Sequence, residues 1–153
     1  MKRLFLPFFA LALLVFPALS HAGESSVALD TVAVQGYDLV SYHLGDGVPV
    51  RGNGNNVAYS NGAVYLFANA ENKKAFEANP AKYLPAYGGY CAFGASKGKK
   101  FVGDPLLYRL VNGKLYLNLV PKIQAMWEKD IPGHIATADD LWDSIKDKHP
   151  SEL

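Results

Sequence analysis

The stretch VAYSNGAVYLFANAENKKAFEANP, Val57 to Pro80, decides the fold. Two β-prone runs, Val57 to Tyr59 and Ala63 to Phe67, flank Ser60-Asn61-Gly62. An Asn-Gly between such runs is the strongest short signal for a hairpin, because its turn needs residues that tolerate positive φ. Asn69 stands where a helix N-cap belongs, and Glu71 falls near the positive end of the helix dipole. ENKKAFEAN therefore reads as a helix that Pro80 closes.

Downstream, NPAKYLP (79–85) reads as one short helical turn that delivers the chain into YGGYCAFG (87–94). A second hairpin follows, with strands from Leu106 to Val111 and from Lys114 to Leu119 around the turn Asn112-Gly113. Pro121 suits the first turn of a helix through IQAMWEKD that stops at Ile131-Pro132-Gly133. Thr137 then caps a last helix through DDLWDSIKD, whose Leu141, Trp142 and Ile145 fall three and four apart on a core-facing stripe. Upstream, GYDLVSYHLGDGVPVRG (36–52) is aromatic-rich and then extended, and NGNN (53–56) is a loop. No internal repeat is evident, since the two Asn-Gly hairpins share a device and not a sequence. The expected architecture is α+β: a single small domain with two β-hairpins and three to four short helices.

The chain opens with Lys2 and Arg3, an apolar run from Leu4 to Leu19, and the small-residue pattern Ser20-His21-Ala22, which together read as a secretory signal peptide over residues 1–22. The run is shorter than the roughly 20 residues of a spanning helix, and Pro7 and Pro17 break it. No cysteine follows it to accept a lipoprotein anchor. Residues 23–35 form a lead-in, 36–146 the domain and 147–153 a C-terminal tail. The product is expected in the periplasm or secreted, with no membrane association once the signal is removed. Without Lys2 and Arg3 the 15 basic residues become 13 against 14 acidic ones, a near balance that argues against nucleic acid as a partner.

Cys91 is the one cysteine of the chain. In an oxidising compartment cysteines usually pair, so a lone one is either a small buried apolar side chain or a functional thiol. Gly88 and Gly89 beside it permit backbone turns closed to other residues and close approach of a ligand. Tyr90, Tyr37 and Asp38 complete the candidate ligand or redox surroundings. Lys97, Lys99 and Lys100 could lower the thiol pKa, or simply belong to a solvated loop. His43 is the candidate metal or proton-transfer partner of Cys91, whereas His134 and His149 read as structural and solvated. Asp104, before Pro105, reads as an Asx turn. No Ser-His-Asp set, HExxH, CxxC, P-loop or GxGxxG is present, so no standard catalytic class is signalled and the reading leans away from an enzyme.

GYDLVSYH, then Tyr59, Asn61-Gly62, Tyr65 and Phe67, then ENKKAF, NPAKYLPAYGGYCA, GDP, NGKLYLN, WEKDIPG and Trp142 resemble the exported YHS-domain proteins, from about Gly36 to Trp142. The resemblance implies a small α+β domain described as a metal-binding module, with no settled activity for this branch. It also implies a reactive or metal-binding role at Cys91, because some close relatives carry selenocysteine at the matching position. The chain departs from the better-known pattern: its early segment lacks a cysteine, and Phe67-Ala68-Asn69-Ala70-Glu71-Asn72 stands where further cysteines would lie. A metal would then need Cys91 with His, Tyr, Asp or backbone ligands. Three expectations follow: an exported module that binds a soft, copper-like metal ion or a small ligand near Cys91; a thiol redox protein that uses a partner protein's thiol; or an interaction domain with Cys91 buried.

Overall fold

The structure, a computed structural model, describes residues 31–153. The expected signal peptide and most of the lead-in lie outside those residues. The described chain is α+β, as expected, with a three-stranded and a two-stranded sheet. Strand β1 (Thr31–Val32) pairs parallel to β3 (Ala63–Phe67), which pairs antiparallel to β2 (Asn53–Ser60). Helices α1 (Ala70–Ala78), α2 (Pro80–Tyr83) and α3 (Ala92–Ala95) lead to the hairpin β4 (Asp104–Val111) and β5 (Lys114–Asn118). Helices α4 (Pro121–Trp127) and α5 (Ile131–Ile145) close the order.

Both Asn-Gly turns form as read, with Asn61 and Gly62 at φ 50° and 74° and Asn112 and Gly113 at 51° and 75°. Asn69 caps α1 by accepting the Asn72 N–H at 2.8 Å. The helix count corrects the sequence reading, with five α-helical segments among the described residues. Two of them, α2 and α3, are single turns, capped by Asn79 and Cys91. The last helix also begins six residues earlier than Thr137. Ile131-Pro132-Gly133 starts α5 instead of ending α4, because proline is tolerated in a first turn and the Asp130 side chain caps the helix by accepting the Gly133 N–H at 3.0 Å. Thr137 sits inside the helix, its hydroxyl donating to the Gly133 carbonyl at 2.9 Å.

The strand registers overturn the reading that no internal repeat exists. In the first hairpin Asn53 faces Phe67, Val57 faces Leu66, and a bulge separates the two pairs. In the second, Asp104 faces Asn118 and Tyr108 faces Leu117 around the same bulge, each number raised by 51. The correspondence extends through the helices: Asn79 and Asp130 are both N-caps that accept from the third residue on, and Phe76 and Trp127 are both fully buried. It also extends upstream. Tyr37 N–H donates to Val34 O and Tyr90 N–H to Tyr87 O, both at 3.0 Å; Gly52 N–H donates to Gly36 O, and Gly103 N–H to Gly89 O. Asp38 N–H donates to Val50 O as Cys91 N–H donates to Phe101 O. Two half-domains are thus built on one plan. Asn-Gly, Tyr65, Leu66 and Glu77 recur as Asn112-Gly113, Tyr116, Leu117 and Glu128, too few identities to announce the plan in sequence.

The halves diverge after the second helix cap. Pro85 forces Leu84 out of the helical region, to ψ 131°, and stops α2 after one turn. The matching positions, Ile135 and Ala136, carry no proline, so α5 continues for 15 residues. One cluster gathers Leu39, Tyr42, Phe67 and Phe76 of the first half with Leu115 and Leu117 of the second. The other sets Tyr87, Tyr116 and Trp127 against Ala138 of α5. Tyrosine hydroxyls stitch the halves together, Tyr42 donating to Pro105 O at 3.0 Å and Tyr108 to Gly47 O at 2.9 Å. Burial, with the neighbouring tyrosines Tyr37 and Tyr108 adding to it, pushes the Tyr42 phenol well above its ordinary range. No helix among the described residues is long and apolar enough to cross a membrane.

Candidate functional site

Two equivalent backbone turns meet at the junction of the halves. Val34 and Gln35 take left-handed conformations (φ 47° and 50°) before Gly36 at 79°, and Tyr87 and Gly88 take them (53° and 61°) before Gly89 at 84°. Glycine adopts this geometry freely, but for a β-branched residue such as Val34 it is a strained outlier, costing about 1–3 kcal/mol and held only where surrounding structure dictates it. The turns touch: a Cβ placed on Gly89 would lie 3.8 Å from Val34 Cγ2.

Around these turns opens a cleft of about 790 Å³, within the size range of small-molecule sites. Equivalent residues of both halves line it: Ala63 with Lys114, Tyr65 with Tyr116, Val34 with Tyr87. To this the longer α5 adds Asp139 and Trp142. The Tyr87 hydroxyl donates to Asp139 Oδ1 at 2.9 Å. Its ring lies 5.5 Å from Trp142 and 5.9 Å from Tyr116, and Tyr90 lies 6.4 Å from Trp142. Burial, the Asp139 hydrogen bond and the Asp139 charge together drive the Tyr87 phenol far above its ordinary range; burial and the same charge raise Tyr116.

Of the residues singled out in sequence, Gly88, Gly89 and Tyr90 line this cleft. Asp38 is fully buried and structural in its bonding. Its Oδ1 accepts from Val40 N–H at 2.8 Å and Ser41 N–H at 3.3 Å, while Oδ2 accepts from Ala68 N–H at 2.9 Å and Asn72 Nδ2 at 2.7 Å. Tyr37 lies under the Arg51 guanidinium, 4.6 Å from the ring centroid. His43 packs edge-on against Tyr83 at 5.2 Å, with its Nε2 buried and unpartnered. Burial foremost, then the charges of Lys82 and Lys114, hold its pKa below the ordinary histidine value. Lys100 is buried and donates to the carbonyls of Lys146 and Lys148, pinning the tail, while its ammonium covers the Tyr90 ring at 4.8 Å. Asp104 makes the expected Asx turn, accepting from Leu106 N–H at 2.8 Å.

Cys91 is 1% exposed. Its Sγ accepts from Gly94 N–H at 3.4 Å, capping α3, and lies 3.7 Å from Asn118 Oδ1. By register Cys91 occupies the place that Asp38 holds in the first half. The partners of Asp38, the Ala68 backbone N–H and the Asn72 side-chain amide, fall at the positions of Leu119 and Ile123, and Ile123 has no side-chain donor to take the place of Asn72. The result is a cavity of about 280 Å³ between Cys91, Phe93, Phe101, Leu119 and Ile123, with Lys97 at its wall. Nearby, Asn118 Nδ2 and Trp127 Nε1 are buried donors without partners, where the first half packs Phe67 and Phe76 at 5.0 Å.

The resemblance implies a metal, and the described residues do not fit one. The polar neighbours of the thiol are an amide oxygen and a backbone N–H, and no three His, Cys, Asp or Glu side chains gather anywhere among the described residues. A soft ion needs more ligands than Cys91 supplies.

The sequence marks none of Lys114, Asp139 and Val34 as site residues, gives Tyr116 only as one of many tyrosines suited to core or cleft walls, and sets Trp142 on a core-facing stripe. Of these, only Lys114 has a signal in the repeat, where it stands in the place of Ala63; Tyr116 repeats Tyr65, and Val34 and Asp139 carry no such mark. Compared with models of known families, with curated proteins and with solved structures, the chain matches none.

Proposed function

We propose that this protein is an exported YHS-like binding module that holds a small organic ligand in the cleft between its two half-domains. The observation that carries this is the cleft itself: about 790 Å³, bounded by two strained left-handed turns and walled by Tyr65, Tyr87, Tyr116 and Trp142. Strained backbone concentrates at functional sites, and ligand sites favour concave apolar walls with a few polar groups. The cleft is lined by Gly88, Gly89 and Tyr90, on the segment that carries Cys91, while the thiol faces the smaller cavity beyond it, which supports a ligand beside that segment. Export rests on the character of residues 1–22, and the YHS-like assignment on the motifs from Gly36 to Trp142.

The test is a fragment screen by isothermal calorimetry on the protein and on Ala63→Trp, which fills the cleft from the β3 side. Fragments that bind the unaltered protein and lose binding in Ala63→Trp support the reading. Fragments that bind both equally, or none at all, overturn it. A second reading, thiol chemistry at Cys91 with a partner protein, draws on the Lys97 side chain at the wall of the cavity against the sulfur. It requires Cys91 to react in the folded protein with a reagent small enough to enter that cavity.

A further inference from the structure

Resting on the cleft reading above, we infer that the ligand is a small zwitterion: its ammonium end lies against Asp139 and the rings of Tyr87 and Trp142, and its carboxylate end faces Lys114. Among the described residues, Asp139 is the one acidic and Lys114 the one basic side chain lining the cleft. Neither is in an ion pair among the described residues, whose salt bridges join Lys73 to Glu77, Arg109 to Glu128 and Lys146 to Asp143. Two opposite charges facing one concavity, unpaired with each other, match a molecule that carries both signs.

The geometry separates the charges along a wall. Lys114 and Tyr116 are two apart on β5, so both side chains leave the same face about 7 Å apart. Tyr87, whose hydroxyl donates to Asp139 Oδ1 at 2.9 Å, has its ring 5.9 Å from that of Tyr116, so the wall runs from Asp139 through two tyrosines toward Lys114. Asp139 and Trp142, three apart on α5, share one helix face. Aromatic rings beside a carboxylate attract an organic ammonium through the negative ring faces as well as the carboxylate charge. The ring of Tyr90 contributes less, since the Lys100 ammonium occupies one of its faces.

The repeat gives independent support. The position matching Lys114 is Ala63, and the first half has no counterpart of Asp139 or Trp142, because Pro85 stops its second helix. The charges and the largest ring thus belong to the departures from the common plan. Such departures serve something other than the shared scaffold.

The test measures binding of L-amino acids, each compared with its amide, which lacks the carboxylate, and with its N-acetyl derivative, which lacks the ammonium. Amide resonances of Gly88, Gly89 and Tyr116 locate the binding. At least one amino acid is expected to bind about tenfold or more tightly than either derivative. Lys114→Met should abolish the preference over the amide, and Asp139→Asn the preference over the N-acetyl form, while both variants keep the native spectrum elsewhere. Acid, amide and N-acetyl forms binding within twofold of one another would overturn the zwitterion and leave the cleft reading standing. Charge-selective binding that neither substitution alters would also overturn it. If neither these compounds nor neutral fragments shift cleft resonances, the cleft reading itself is overturned.

Discussion

Replacing Asp38 with alanine removes a carboxylate that accepts from four N–H groups, of which only Ser41 N–H keeps another acceptor, the residue-38 backbone carbonyl at 3.1 Å. Two, on Val40 and Ser41, close an Asx-type turn just ahead of Ser41–His43, a local bond set whose loss costs about 1 kcal/mol. The other two, Ala68 N–H and Asn72 Nδ2, tie the segment to the end of β3 and to α1. Asn72 is itself buried, and each buried donor left without an acceptor costs about 1–3 kcal/mol. Asp38→Ala should therefore lose about 3–7 kcal/mol, a large share of the roughly 5–15 kcal/mol that holds a domain together. Asn72→Leu removes one of the four bonds, and about 1.5–3 kcal/mol with it, because its acceptor is a carboxylate. The double variant should lose less than the sum of the two, since the Asp38–Asn72 bond is shared between them. Urea unfolding measures all three as shifts of the midpoint at constant slope. A loss below about 1 kcal/mol in Asp38→Ala would refute this account of Asp38 as a structural anchor and return it to the list of ligand-facing residues.

Four further outcomes follow. Gly52→Ala and Gly103→Ala should each cost about 1–3 kcal/mol in thermal or urea unfolding. Their new Cβ atoms would collide with the Leu66 backbone carbonyl and fall 2.6 Å from Leu117 Cβ, and a neutral result at both would contradict the shared plan. His43 has a folded-state pKa below its unfolded value, so the unfolded chain takes up a proton that the folded chain refuses. Stability should fall as pH drops below about 6.5 toward that lowered value, and His43→Gln should flatten this part of the profile; an unchanged slope would contradict the assignment. Bulky maleimides should label Cys91 no faster than the protein unfolds, and rapid labelling in native buffer would contradict its 1% exposure. Tyr87→Phe should lose about 1 kcal/mol, because the Asp139 carboxylate, at the surface, regains water; a loss above about 3 kcal/mol would mean that Tyr87 anchors more than this bond.

The hairpins were legible because an Asn-Gly turn needs positive φ at two successive residues, and few residue pairs other than Asn-Gly meet that need so readily. The cap at Asn69 was legible for a similar reason, being a local hydrogen bond from a residue type suited to make it. The start of α5 was not, because Ile-Pro-Gly reads as a stop until the Asp130 side chain is seen to cap the next turn. The repeat was hidden because it lives in strand register and in backbone bonds, and the side chains laid over those bonds have diverged: Phe67 matches Asn118 and Asp38 matches Cys91. At the candidate site, Gly88 and Gly89 drew notice as glycines. Val34 and Gln35 adopt the same left-handed turn with side chains that do not advertise it, so half of the cleft's backbone frame had no sequence signature. Lys114 and Asp139 looked like ordinary surface charges until the fold brought them to one concavity.

The most direct test of the account is a ¹⁵N-resolved NMR titration of the protein with amino acids and neutral fragments. The account predicts saturable shifts confined to Val34, Gln35, Gly88, Gly89, Tyr116 and Trp142, the residues that frame the cleft. Shifts confined instead to Cys91, Gly94, Phe101 and Ile123 would place binding in the smaller cavity and contradict the assignment of the cleft.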